Sequence, residues 1–516
     1  MNLALPTLAL TAAALCATAW AIPEGPEFPS AEWSARDLAN VAKTDEAPLE
    51  QLANPQFLLR WQEQNLANSL SYNQRALDDP SWLLVPPFNT PLTPLCAVWR
   101  EQCAGDPFRY PEAAGPDGAS FYDTEAEVIP FVFYDRGCAR ISGRVWAPRD
   151  TRSGLPGVII ENGSIQAPET LYWWAAQLLV RNGYVVMTFD PRGQGRSDWQ
   201  TPNGEQGGNV NAAVFWDGLV DAIDFFRSSS VQPYPHNASC AGTYPTEVAA
   251  FNPHSARIDP SRLGLAAHSL GATGVSVVQG YGAPGADPWP GLIDRENPVD
   301  VIVAWDGLAS ADGGGYGEGT PPVVPRVPAM GQTSEYGFTP LPASAPPDPE
   351  AHKTAFRAWQ AAGVPVFQFT IQGSTHFEWS LLPSFPATSW CPDTSSGACA
   401  GGWGRPMAEH YTLAWLDRWL KQPGERGYDD ADARLLADAV WRERYSFYHR
   451  SARAFPDRTD RLQSCEDIRA GCADAQTTRG GGGSLGTAAL LLAMLSVLRR
   501  LVCAHPSRAG GGRAEE

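Results

Sequence analysis

Lysine is almost missing from this chain: Lys43, Lys353 and Lys421 are the only three among 516 residues. Lys and Arg together number 38 against 56 Asp and Glu, a formal net charge of −18. Binding a phosphate backbone needs a concentrated basic face, and docking on anionic lipid needs the same. Neither nucleic acid nor an acidic membrane surface therefore suits this composition. Charged residues of both signs make up only 18% of the chain, whereas hydrophobic residues reach 43%. That balance excludes disorder over most of the length and supplies a core. No two cysteines have the short spacing of a zinc knuckle, and no zinc, nucleotide or flavin motif stands out. What the chain does have is 49 Gly, 46 Pro and 19 Trp. These point to a loop-rich globule with aromatic-lined surfaces and a neutral or apolar substrate. Its length suits one large domain of roughly 250–350 residues with extensions.

The two ends read as addresses. Residues 1–21 are almost free of polar side chains from Leu3 to Trp20 and end Ala19-Trp20-Ala21, as expected of an export signal cut after Ala21. At the other end, four glycines (480–483) lead into the apolar run Thr487 to Leu498, followed by Arg499-Arg500. Residues 480–516 resemble the GlyGly-CTERM sorting tails of Gram-negative bacteria, which a rhomboid-like protease removes. The resemblance implies an exported, cell-surface or secreted protein that meets a membrane only through this tail and has a sorting protease as partner. Cys16 and Cys503 would leave with the two ends, and eight cysteines remain. An even number in an exported chain reads as disulfides. Local pairing is the economical arrangement: Cys96 with Cys103, Cys391 with Cys399, Cys465 with Cys472, and Cys138 left for Cys240.

Between residues 128 and 420 short apolar runs alternate with amphipathic ones, the pattern of an α/β domain. Val128 to Tyr134 and Ala139 to Ala147 form an expected hairpin. Buried strands are expected at Gly157 to Glu161, Tyr184 to Phe189, Arg262 to Ala267, Val299 to Trp305, Val327 to Thr333 and Val364 to Gln372. Helical spacing covers Thr170 to Arg181, Ala212 to Ser228, Asp348 to Ala362 and Glu409 to Leu420. Continuous apolar strands separated by helices imply a mostly parallel central sheet covered on both faces. Residues 22–127 read as an extension packed on the core, with a helix near Pro55 to Leu77. Residues 421–479 read as a charged helical extension.

The sharpest chemical signal is Ala267-His268-Ser269-Leu270-Gly271. A buried strand enters a small-x-Ser-x-small turn and leaves as a helix. Such a turn holds the serine in a strained conformation, so its neighbours two before and two after must be small. A second loop, Asp190-Pro191-Arg192-Gly193-Gln194-Gly195-Arg196-Ser197, lacks the Gly-Lys-Ser/Thr of a phosphate loop and reads as structural. With these motifs, residues 128–420 resemble an α/β-hydrolase of the lipase and esterase kind. That resemblance implies Ser269 as nucleophile and His376, in a Gly/Ser/Thr turn after the last strand, as base. It implies Glu335, after the strand Val327 to Thr333, as the triad acid, with Asp306 at the end of the preceding strand as the alternative. Asn162-Gly163-Ser164 takes the place of the oxyanion loop, so the oxyanion donors are the N–H groups of Leu270 and of Ser164 or Ile165. Tyr172 and Trp173 follow that loop closely and are candidate substrate contacts, although core packing explains them as well.

The expected function is a secreted serine hydrolase that cleaves neutral or apolar carboxylic esters through an acyl-enzyme, without metal or cofactor. Amide or peptide cleavage would use the same groups. A non-catalytic surface-adhesion protein on the same fold is the reading from another class.

Overall fold

The computed structural model describes residues 25–53, 73–84, 121–164, 167–311, 319–380 and 404–472, with positions 55, 66 and 70. The expected export segment (1–21), the sorting tail (480–516), and the pairs Cys96–Cys103 and Cys391–Cys399 lie outside the described residues. So does most of the helix expected over 55–77, although residues 73–78 are helical.

Among the described residues ten strands form one sheet: β1 (Ala126–Tyr134), β2 (Arg140–Pro148), β3 (Leu155–Glu161), β4 (Val185–Asp190), β5 (Ile258–His268), β6 (Val301–Trp305), β7 (Ala329–Ser334), β8 (Val366–Ile371), β9 (Ala452–Pro456) and β10 (Leu462–Cys465). Their spatial order is β1-β2-β4-β3-β5-β6-β7-β8-β9-β10. The run from β4 to β8 is parallel throughout, and the flanking strands on both sides are antiparallel. The sequence has the matching pattern. All residues of β3, β4, β6 and β8 are buried, as parallel strands covered on two faces require.

The principal helices are α1 (Ala31–Ala53), α2 (Trp173–Arg181), α3 (Asp217–Arg227), α4 (Leu270–Val278), α5 (Thr354–Ala361) and α6 (Arg405–Leu420). Successive strand side chains divide between two cores. Val158 and Ile160 of β3 pack with α2 and α6 on one face. Ile159 points the other way, with α3, α4 and α5. The segments expected to be helical from 170, 212 and 348 begin as 3₁₀ turns before their α-helical parts. Among the described residues, no helix is long and apolar enough to cross a membrane.

The expectation for the C-terminal extension needs correction. It is not simply helical: β9 pairs antiparallel with β8 through Val366–Ala454 and Gln368–Ala452, and β10 pairs with β9. Ala452 and Phe455 are fully buried, so the apolar side chains of this short segment complete the two cores beyond residue 420. Cys138–Cys240 and Cys465–Cys472 are disulfides, as expected. The first ties the β1–β2 turn to the segment after α3.

Candidate active site

Strand β5 runs straight into Ser269, which has φ 58° and ψ −123°, and α4 begins at the next residue. An L-residue in that region is strained, and the turn persists because its surroundings fix it. The Ser269 N–H donates to the Trp305 carbonyl at 2.9 Å, and the Ser269 carbonyl accepts from Thr273 N–H at 3.2 Å. Gly271 is required sterically: a β-carbon there would stand 2.2 Å from the Asn162 carbonyl oxygen. The turn therefore lifts the Ser269 hydroxyl above the end of the sheet, at the start of a helix.

His376 lies in the loop after β8. Its Nε2 is 2.8 Å from Ser269 Oγ, and its Nδ1 is 2.5 Å from Asp306 Oδ2. Asp306, also at positive φ (53°), follows β6 directly. Its carboxylate is held from the other side by Ser334, whose N–H donates to Oδ1 at 2.7 Å and whose hydroxyl donates to Oδ2 at 2.8 Å. Burial opposes its ionisation, but the hydrogen bond and charge of His376 and the Ser334 N–H outweigh burial and lower its pKa.

The carboxylate on His376 is thus Asp306, and the expectation for Glu335 is corrected. The reason is local geometry. Ser334 faces Asp306 at the end of β7, so the next residue projects the opposite way. Glu335 Oε2 accepts from Gly373 N–H at 2.7 Å, and Oε1 accepts from the Ser446 hydroxyl at 2.5 Å. Burial pushes this carboxyl up to about 7 against those donors.

Both expected oxyanion segments border the serine. Leu270 is the first residue of α4, where helix N–H groups have no intrahelical acceptor. The Asn162-Gly163-Ser164 loop crosses the same turn, since a β-carbon on Gly163 would lie 3.2 Å from Ser269 Cβ. Gly163 N–H is committed to the Tyr172 hydroxyl at 3.0 Å, which leaves Ser164 as the next backbone donor along the loop. Ile165 lies outside the described residues. Asp190 braces the loop by accepting from Asn162 Nδ2 at 2.9 Å and Glu169 N–H at 2.6 Å. Glu169 in turn is ion-paired with Arg144 and Arg196. Beneath the loop, burial pushes the Glu161 carboxyl well above its usual range.

Tyr172 and Trp173 are both buried in the core. Trp173 donates its Nε1–H to Glu169 Oε2 at 3.0 Å and packs edge-on against Trp146 at 5.0 Å. The Tyr172 hydroxyl is 2.9 Å from His268 Nδ1, while His268 Nε2 is 2.7 Å from the His376 carbonyl oxygen. A carbonyl can only accept, so the His268 proton sits on Nε2 and Tyr172 donates to Nδ1. Burial and the neighbouring His376 depress the His268 pKa to about 3, which keeps it neutral. This chain from the Asn162-Gly163-Ser164 loop to the His376 backbone was not legible in sequence. The serine motif demands small residues two positions either side of Ser269 and nothing in particular of the position between.

Phe338 was also missed. Its ring lies 4.1 Å from that of His376 and is 57% exposed, an apolar surface at the mouth of the site. Among the described residues, no group of three or more His, Cys, Asp or Glu side chains could hold a metal ion. No family model matches this chain, and no curated protein is significantly similar to it.

Proposed function

We propose that this protein is an exported serine hydrolase of α/β-hydrolase fold that cleaves carboxylic esters through an acyl-enzyme. The observation that carries the reading is the continuous Ser269–His376–Asp306 hydrogen-bond chain ending on a serine at φ 58°. Strand, turn and helix are the context a nucleophile elbow needs. The three groups follow one another in the chain as serine, acid and histidine, the order that the motif resemblance implies.

In this mechanism Ser269 Oγ attacks the substrate carbonyl while His376 Nε2 takes its proton. Asp306 keeps the remaining imidazole proton on Nδ1 and stabilises the cation that forms. The tetrahedral oxygen is met by the N–H groups of Leu270 and Ser164, each worth about 3 kcal/mol in comparable sites. His376 then protonates the leaving alcohol and activates water to release the acyl group. The exposed ring of Phe338 offers an apolar substrate contact. The disulfides Cys138–Cys240 and Cys465–Cys472 support export to an oxidising compartment.

The test is labelling by a fluorophosphonate beside Ser269→Ala, followed by a panel of esters and amides. Labelling abolished by the substitution, with esters turned over faster than amides, is expected. A folded, oxidised wild-type protein that reacts with neither a large nor a small phosphonylating reagent would overturn the proposal.

A further inference from the structure

The carboxylate that the sequence favoured as triad acid holds a different set of partners. Glu335 joins three segments that are remote in the chain. Besides Gly373 N–H and Ser446, its Oε2 is 3.4 Å from Asn40 Nδ2 on α1. Gly373 begins the short turn that ends in His376. The same turn is fastened to the residues after Glu335: Tyr336 N–H donates to the Ser374 carbonyl at 3.1 Å, and His376 N–H donates to the Gly337 carbonyl at 2.7 Å. Phe338 then lies over the His376 ring.

A second carboxylate on α1 grips this loop at both ends. Asp37 is 1% exposed; its Oδ1 accepts from the Tyr336 hydroxyl at 2.8 Å and the Tyr448 hydroxyl at 3.0 Å. Its Oδ2 accepts from Ala343 N–H at 2.8 Å. The helix is itself seated through Trp33, whose ring packs on Tyr448 at 5.5 Å. Contacts from outside the parallel sheet therefore fix both the turn that carries the histidine and the loop that covers it.

We propose that the N-terminal helix α1 is a working part of the active site, in which Asp37 and Glu335 are positioning residues for His376 and for the Phe338 wall. The inference rests on Ser269 being the nucleophile. His376 must meet Ser269 Oγ and Asp306 at once, and small displacements of a reacting group are expensive in rate. Neither carboxylate touches the serine, and both act through the backbone of the His376 turn or the Phe338 loop.

The clasp has a sense of pH. Ionised Glu335 accepts from three donors, whereas protonated Glu335 has one oxygen less to offer them. Around it stand Asp37 and Lys43 from α1, Tyr336 beside it, and Tyr448 and Arg469 from the C-terminal segment. Glu443, Arg444 and Arg469 also act on Lys43. Burial sets the carboxyl at about 7, so its hydrogen bonds to the histidine turn strengthen as pH rises through neutrality. Glu335→Gln, of nearly the same shape, cannot make that transition.

The experiment measures the second-order rate of phosphonylation by a small fluorophosphonate, and kcat and KM on an activated ester, from pH 5 to 9. Wild type is compared with Glu335→Gln, Asp37→Asn and the gentler Tyr336→Phe. Expected are rates about tenfold lower at pH 8 for the two carboxylate variants, through kcat more than KM. The ratio of wild type to Glu335→Gln should also rise through pH 7. Variants that melt like wild type, react at its rate and keep its pH profile would overturn the clasp while leaving the nucleophile in place. A wild-type protein that does not react would overturn the hydrolase reading and the clasp with it. Should a carboxylate variant not fold, Tyr336→Phe decides, because it removes only the hydroxyl that Asp37 holds.

Discussion

The substitution Asp306→Asn separates the two candidate acids, and the surrounding donors dictate how the new side chain must sit. Ser334 N–H lies 2.7 Å from Oδ1 and needs an acceptor there, so the amide oxygen takes that place. The amide NH₂ group then occupies the Oδ2 position, 2.5 Å from His376 Nδ1 in the native chain. An N–H donor facing Nδ1 forces the imidazole proton onto Nε2, where it points at Ser269 Oγ. The base then cannot accept the serine proton. The equivalent change of tautomer in a serine protease lowers kcat about 10⁴-fold. That is about 5.5 kcal/mol in the barrier. The same loss is expected here for ester hydrolysis under saturating substrate, and a comparable fall in the rate of phosphonylation. Circular dichroism and the melting curve control for folding. Activity of Asp306→Asn within about tenfold of wild type would refute the tautomer reasoning, and a larger loss in Glu335→Gln than in Asp306→Asn would reverse the assignment of the acid.

Gly271→Ala places a methyl group 2.2 Å from the Asn162 carbonyl oxygen, so the Asn162-Gly163-Ser164 loop must move. A loss of about 1–3 kcal/mol in urea unfolding is expected, typical of overpacking, together with a fall in kcat; unchanged values for both would show that the loop yields freely. Cys138 and Cys240 are separated by 102 residues. Replacing both by Ser should cost about 2–5 kcal/mol by releasing that loop in the unfolded chain. Urea titrations of the oxidised wild type and the double variant measure it, and equal midpoints would refute the estimate.

Much of the fold could be read from local pattern. Several of the parallel strands carry continuous apolar runs, such as Val301 to Trp305 in β6 and Val158 to Ile160 in β3, because both of their faces are buried. The serine turn was equally legible, since Ala267 and Gly271 meet a steric demand imposed within five residues. β9 was not legible: Ala452 to Pro456 is short and contains Arg453, and only its pairing with β8 makes it a strand.

The alternation of elements, the elbow at Ser269 and the loop that carries His376 are all written in the sequence, because each depends on residues close together in the chain. The choice between Asp306 and Glu335 is made in three dimensions. Both follow strands, and their roles differ through side-chain direction at two adjacent strand ends, where Ser334 turns toward Asp306 and Glu335 turns away. The role left to Glu335 is likewise a matter of long-range packing. Its neighbour Asn40 lies 295 positions away, and no local pattern records that a helix from the N-terminal extension will rest against the turn of the histidine.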